Sequence, residues 1–140
     1  MGHGVVAVEP LCDVLNTAKT IHPSRNIEWR SDSLPRLESL GADSFSFVLC
    51  HAVWQHLSGH ERTQALERVF ELLLPNGVFA LALRHGPPGV GVHYFPSDVG
   101  ETIDTAVSIG FTTLRKLENQ ASVISGKADV TWTRLAFRKG

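Results

Sequence analysis

The sequence predicts an α/β fold: a mostly parallel sheet with helices on both faces, closed by an antiparallel pair of strands. Three observations predict it. The spacing of apolar residues switches back and forth between the strand period and the helix period along the chain. The early strand-like runs, Val5-Val-Ala-Val8 and Phe45-Ser-Phe-Val-Leu-Cys50, are almost wholly apolar, as strands covered on both faces are. The last two runs, at 111–117 and 130–137, alternate apolar and polar residues, as half-exposed antiparallel strands do.

Each element follows from its residues. The run from Gly4 to Val8 ends at Glu9-Pro10 and reads as a buried parallel strand. Pro10 opens a helix with Leu11, Val14, Leu15 and Ala18 at helical spacing. It stops near His22-Pro23, because the residue before a proline is pushed out of the helical region. Ile27-Glu-Trp29 alternates and predicts a second strand, ending in Ser31-Asp-Ser33. Residues 34–40 predict a short helix closed by Gly41. Phe45 to Cys50 is the third strand, and 51–57 a helical turn or loop. Ser58 is an N-cap with Glu61 at the capping-box position three residues on. The helix it starts turns Ala65, Leu66, Val69, Phe70, Leu72 and Leu73 inward. Leu74-Pro-Asn-Gly77 stops and turns the chain. Residues 78–83 form a fourth buried strand, and 85–94, with three glycines and two prolines, the longest loop. Ser97 and Asp98 start the last helix, which runs through Ile103, Val107 and Ile109 to Gly110. The segment 118–129 joins the final two strands.

Composition narrows the class. A chain of 140 residues buries roughly two-thirds of its unfolded surface, which suits a single domain over 1–140. Thirteen basic residues against 14 acidic leave a formal charge of -1, without the basic stripe of a nucleic-acid binder. No apolar run approaches a membrane span. Cys12 and Cys50 form neither a disulfide framework nor a metal pair, and His56 and His60 lack the Glu that a zinc motif needs, so no metal is expected. With no signal-peptide pattern in Met1-Gly-His-Gly4, a reduced, cytoplasmic setting is the simplest expectation.

The order of signals resembles a class I S-adenosylmethionine-dependent methyltransferase. Val5-Val-Ala-Val-Glu-Pro10, Trp29-Arg-Ser-Asp-Ser-Leu-Pro35 and Ser46-Phe-Val-Leu-Cys-His-Ala-Val-Trp-Gln-His-Leu57 carry the likeness. So do Ala65-Leu-Glu-Arg-Val-Phe-Glu-Leu-Leu-Leu-Pro-Asn-Gly-Val-Phe-Ala-Leu81 and Gly110-Phe111 before the final strands. The resemblance implies a Rossmann-like methyltransferase fold with an antiparallel C-terminal strand pair, and S-adenosylmethionine as cofactor.

Residue roles follow from it. Glu9 stands where the family holds the ribose diol, a match of two acceptors to two donors; its plainer role is a solvated strand-end carboxylate. Asp32 stands where the family receives the adenine amino group, with Ser33 and Leu34 beside the ring; equally, Asp32 suits an Asx-turn or cap with Ser33. Pro10, Cys50, His51 and Ala52 complete the cofactor side. His51 and His85 are the candidate general bases, and Arg84 and Tyr94 the candidate substrate contacts. Trp54 is a lid over the adenine side or a core residue, and Phe95 joins Tyr94 as a wall. The expected acceptor is a small molecule rather than nucleic acid or membrane.

One part of the pattern is missing. The family opens with a strand and a glycine-rich turn, and this sequence has neither before Gly4, as an N-terminally truncated member would. The absent strand lies between the strands at Gly4 and Phe45, so a slot one strand wide is expected there. Either those strands pair directly, or another chain or a second copy pairs with them, or the sequence is a fragment of a longer product. Weak or absent cofactor binding is expected of this chain, and a homo-oligomer through the open edges is a further expectation. Two other readings compete: a non-catalytic methyltransferase-like interaction module, and a nicotinamide-dependent reductase.

Overall fold

The computed structural model describes residues 2–140. The elements run β1 (Val5–Val8), α1 (Cys12–Ile21), β2 (Ile27–Arg30), β3 (Phe45–Cys50), a 3-10 turn (Trp54–His56), α2 (Gly59–Leu72), β4 (Leu73–His85), α3 (Val99–Ile109), β5 (Phe111–Ala121) and β6 (Thr131–Lys139). The strands build two sheets rather than one. A two-stranded parallel sheet joins β1 to β2, and a four-stranded sheet has the order β3-β4-β6-β5. β3 and β4 are parallel, while β4–β6 and β5–β6 are antiparallel. The final hairpin is as the alternation predicts, with both strands longer than expected.

The slot is present. β1 pairs only with β2 and β3 only with β4, so each keeps one edge without a strand partner among the described residues. The strands do not close up on each other. Instead, side chains bridge the two sheets: Val6 and Val8 pack with Leu34, Leu37, Leu40, Phe45 and Leu72.

The main core lies between one face of the larger sheet and helices α2 and α3. Val48, Cys50, Phe79, Leu81, Leu83, Leu135 and Phe137 meet Ala65, Leu66, Val69 and Ala106 there. Trp54, expected as lid or core, is fully buried in this layer. Helices on both faces are not what the larger sheet has. Its opposite face is open at Phe47 (55% exposed) and Leu49 (66%), because strand residues alternate sides and only the Val48–Cys50 side has a helix layer.

Local signals explain most boundaries. Ser58 Oγ accepts from the Glu61 amide, and the Glu61 carboxylate accepts from the Ser58 amide, so the capping box forms and contributes about 1 kcal/mol. The Leu74–Gly77 turn bulges out of β4 between the Phe45–Leu73 and Phe47–Val78 pairs. Asn76 takes φ 64° there, and a Cβ on Gly77 would lie 2.8 Å from the Leu74 carbonyl. Asp98 caps α3 by accepting from the Glu101 amide, and Gly110 ends it at φ 127°.

The short helix expected at 34–40 does not form. Leu37 has φ 46°, and the carbonyls of Arg36, Leu37 and Leu40 accept from the Arg68 guanidinium at 2.8, 3.1 and 2.6 Å. The left-handed Leu37 breaks the right-handed run after one turn, and Arg68, from α2, holds the carbonyls on either side of the break. The segment is a sequence of turns wrapped on Arg68.

Candidate functional site

The candidate residues stand just past the ends of successive strands: Glu9 after β1, Asp32 after β2, His51 and Ala52 after β3, Arg84 and His85 at the end of β4. Carboxyl ends of parallel strands are where ligands enter open α/β sheets.

Glu9 is held by its own turn. Its amide donates to the Arg30 carbonyl at 3.1 Å, tying β1 to β2, and its Oε1 accepts from the Leu11 amide at 2.9 Å. Oε2 has no hydrogen bond among the described residues. Pro10, between them, is exposed.

Asp32 is more heavily engaged. Oδ1 accepts from the Ser33 amide at 2.8 Å, and Oδ2 from the Ser39 amide at 2.9 Å and hydroxyl at 2.6 Å. Burial pushes its pKa up, but the Ser39 and Ser33 donors outweigh that and hold the carboxyl below its usual range. Because Oδ1 takes the next amide rather than the one two residues on, the expected Asx-turn does not form; Asp32 instead ties Ser33 to Ser39 and organises the 33–40 turns. Leu34 packs against both apolar clusters, so its side chain belongs to the core.

Past β3, Cys50 and its neighbours diverge. The Cys50 side chain points into the main core, where burial pushes its thiol up to about 12. Ala52, exposed, has φ 60°, an uncommon conformation for a residue with a Cβ, and its carbonyl accepts from Gln55 Nε2 at 2.9 Å. In the folded protein at neutral pH, iodoacetamide is expected to modify exposed Cys12 and spare Cys50, with both labelled after denaturation. Equal labelling of the two in native protein, read by peptide mass spectrometry, would overturn this placement of Cys50.

The two candidate bases separate. His51 is exposed and stacks on Trp132, with ring centres 4.9 Å apart. His85 instead has Nε2 2.9 Å from Thr133 Oγ1, a hydroxyl buried in the sheet. Arg84 and Trp132 are direct partners across β4 and β6, so they share the open face, and His85 turns to the other. The structure brings together His51, Trp132, Arg84 and Tyr94: the Arg84 guanidinium lies 4.8 Å from the Tyr94 ring centre, and His56 meets Tyr94 edge-on at 5.2 Å.

Sequence reasoning missed two supporting residues. Trp132 reaches the site only through the β4–β6 register, although an aromatic at the start of an alternating strand was a usable signal. Arg62 straps the long loop that carries Tyr94, donating to the carbonyls of Trp54, Phe95 and Pro96 at 3.1, 2.9 and 2.6 Å. Phe95, part of the expected wall, is pinned as its amide donates to the Gln55 carbonyl at 2.9 Å. Among the described residues, no helix is long and apolar enough to cross a membrane.

Comparison with known proteins bears on this site. The profile of the family described as "Methyltransferase domain" matches residues 1–81. A SAM-dependent methyltransferase from Methanosarcina mazei superposes with TM-score 0.77 at 13% identity, covering 99% of this chain and 82% of that one. An S-adenosylmethionine-dependent methyltransferase from Mesorhizobium loti gives 0.77 at 16%, covering 95% and 79%. A Burkholderia thailandensis 1,6-didemethyltoxoflavin-N1-methyltransferase, solved with 1,6-didemethyltoxoflavin and S-adenosylhomocysteine, gives 0.71 at 18%, covering 98% and 61%. At these identities the likenesses establish a shared Rossmann-like fold. No protein of curated function matches this chain in sequence.

Proposed function

This chain belongs to the methyltransferase-domain family, and from that premise we propose that it serves S-adenosylmethionine-dependent methyl transfer to a small-molecule acceptor. The observation that carries the reading is the row of Glu9, Asp32 and the turn at His51 and Ala52 past the ends of β1 to β3, with Arg84 in the last residues of β4.

The nucleoside side of the donor fits residues that are present. Glu9 keeps Oε2 for a ribose hydroxyl, while Oε1 fixes its rotamer through Leu11. Asp32 is anchored by Ser33 and Ser39; Oδ2 takes both Ser39 donors, while Oδ1, with one bond from Ser33, keeps a lone pair for the adenine amino group. The methionine side fits less well, because no glycine-rich turn in the sequence offers amides beside the slot. When bound, the donor supplies an electrophilic methyl on a sulfonium. The chain's own residues position the partners: Arg84 and Tyr94 hold the acceptor, and the exposed His51 imidazole, oriented by Trp132, takes the acceptor's proton. His85, bonded to Thr133 on the other face, is the less suited base.

Amide chemical-shift mapping with millimolar S-adenosylhomocysteine tests this reading. Perturbations are expected at Glu9, at 32–34 and at 50–52, and Glu9→Gln is expected to weaken them. Mapping of NAD to the same residues, with none from S-adenosylhomocysteine, would instead favour a reductase.

A second reading, a non-catalytic module, is favoured by one observation. The open edges of β1 and β3 invite a strand from a partner or a second copy, which sedimentation would register as self-association.

A further inference from the structure

We infer that the acceptor carries an anionic group, a carboxylate or phosphate, attached to a flat body, and that Arg84 is the residue that selects it. The inference rests on the methyl-transfer reading for the word acceptor; the anion site itself rests on geometry.

Four arginines are partly buried: Arg30, Arg62, Arg68 and Arg84. The first three are satisfied within the protein. Arg30 pairs with Glu28 and donates to the Ser39 carbonyl, Arg62 donates to three carbonyls, and Arg68 to three carbonyls and Glu71. Arg84 is different. Its one hydrogen bond within the described residues runs from Nη1 to the Gly86 carbonyl at 3.2 Å, and it joins none of the ion pairs found there. A guanidinium has five N–H donors in a planar fork, so most of this fork has no acceptor in the described protein.

The fork is also oriented. The guanidinium carbon lies over the Tyr94 ring, 4.8 Å from its centre, which holds the group in place without using any of its N–H donors. A planar fork with a free edge matches the paired oxygens of a carboxylate or phosphate. Around it stand Trp132, the direct cross-strand partner of Arg84, His51 stacked on Trp132, and His56 against Tyr94. Trp132 is itself buried beneath His51, so the exposed His51 and His56 rings and half-buried Tyr94 are the surfaces that suit a flat body next to the anion. None of the surrounding side chains named here is a carboxylate that would repel it.

The test uses the whole chain without cofactor. Calorimetry is run with benzoate, phenyl phosphate and neutral benzamide. Benzoate or phenyl phosphate is expected to bind with one-to-one stoichiometry, and the tighter of the two names the anion. Benzamide is expected to bind at least about tenfold more weakly, as loss of a charge-assisted pair implies. Arg84→Met is expected to lose about tenfold or more for the anions, and Arg84→Lys, which keeps charge without the fork, to fall between. Tyr94→Phe keeps the ring and is expected to change little. Thermal melts report whether each variant is folded; should Arg84→Met not fold, the comparison of Arg84→Lys with the native chain decides. Equal binding of benzamide and benzoate, unchanged binding in Arg84→Lys and Arg84→Met, or no binding of either anion would each overturn the inference. Benzoate binding alongside a failed S-adenosylhomocysteine map would refute methyl transfer alone, and the reverse would refute only the anion site.

Discussion

Phe79→Ala is expected to destabilise the protein by about 3–5 kcal/mol, and Phe47→Ala by less than about 1 kcal/mol. The two phenylalanines lie on neighbouring strands, one register step apart, since Phe47 pairs with Val78 and Val48 with Phe79. Alternation puts them on opposite faces of the same sheet. Phe79 is fully buried among aromatic rings, with Trp54, Phe111 and Phe137 at centre distances of 6.4, 6.2 and 6.4 Å. Truncating it removes the ring from water-free contact and leaves a cavity that two strands and two helices cannot easily collapse. Phe47 is 55% exposed and packs on no helix, so its loss costs little burial. A small domain has only about 5–15 kcal/mol in hand, so Phe79→Ala is expected to leave a visible unfolded fraction in water. Urea midpoints of both variants measure the contrast. A Phe47→Ala cost equal to that of Phe79→Ala would mean that the open face is covered in solution.

The same face shows how far the sequence could be read. Strand positions were legible because apolar runs and turn residues are local signals. The Ser58–Glu61 capping box, the Leu74–Gly77 turn and the Gly110 stop were legible for the same reason. The coverage of each face was not. An all-apolar run such as Phe47, Val48 and Leu49 looks buried on both sides, yet only the Val48 side has helices. The segment 34–40 looked helical because its apolar spacing is helical; the structure instead turns at Leu37 (φ 46°) and wraps the segment on Arg68, a distant side chain that no local pattern reveals. For the site, Glu9, Asp32, His51 and Arg84 could be placed at strand ends from the strand pattern alone. The separation of His51 from His85, and the arrival of Trp132 beside Arg84, depend on the antiparallel register of β4 and β6, which no local pattern fixes.

Calorimetric titration of the 140-residue chain with S-adenosylhomocysteine is expected to give a dissociation constant in the millimolar range, about a thousandfold weaker than a micromolar site. Hydrogen bonds at the slot set that figure. A glycine-rich turn gives a cofactor close approach to backbone amides, and bonds from amides to a charged group are worth about 1.5–3 kcal/mol each. The 140 residues contain no such turn beside β1, and among the described residues no strand pairs with the open edges of β1 and β3. Losing two such bonds at ~2 kcal/mol each removes ~4 kcal/mol, the interval between micromolar and millimolar affinity. What remains is the nucleoside side: Glu9 Oε2, the Asp32 turn and the backbone at 50–52. That remainder should depend steeply on Glu9, because its carboxylate is the one anchor there with an oxygen free of protein donors in the described residues. Glu9→Gln is therefore expected to take the millimolar signal below detection while leaving the melting temperature unchanged, since Gln keeps the acceptor that holds Leu11. Micromolar binding by the unaltered chain would show that the slot does not limit the cofactor, and that the exposed edges find their partner by another route, a second copy being the first to look for by sedimentation.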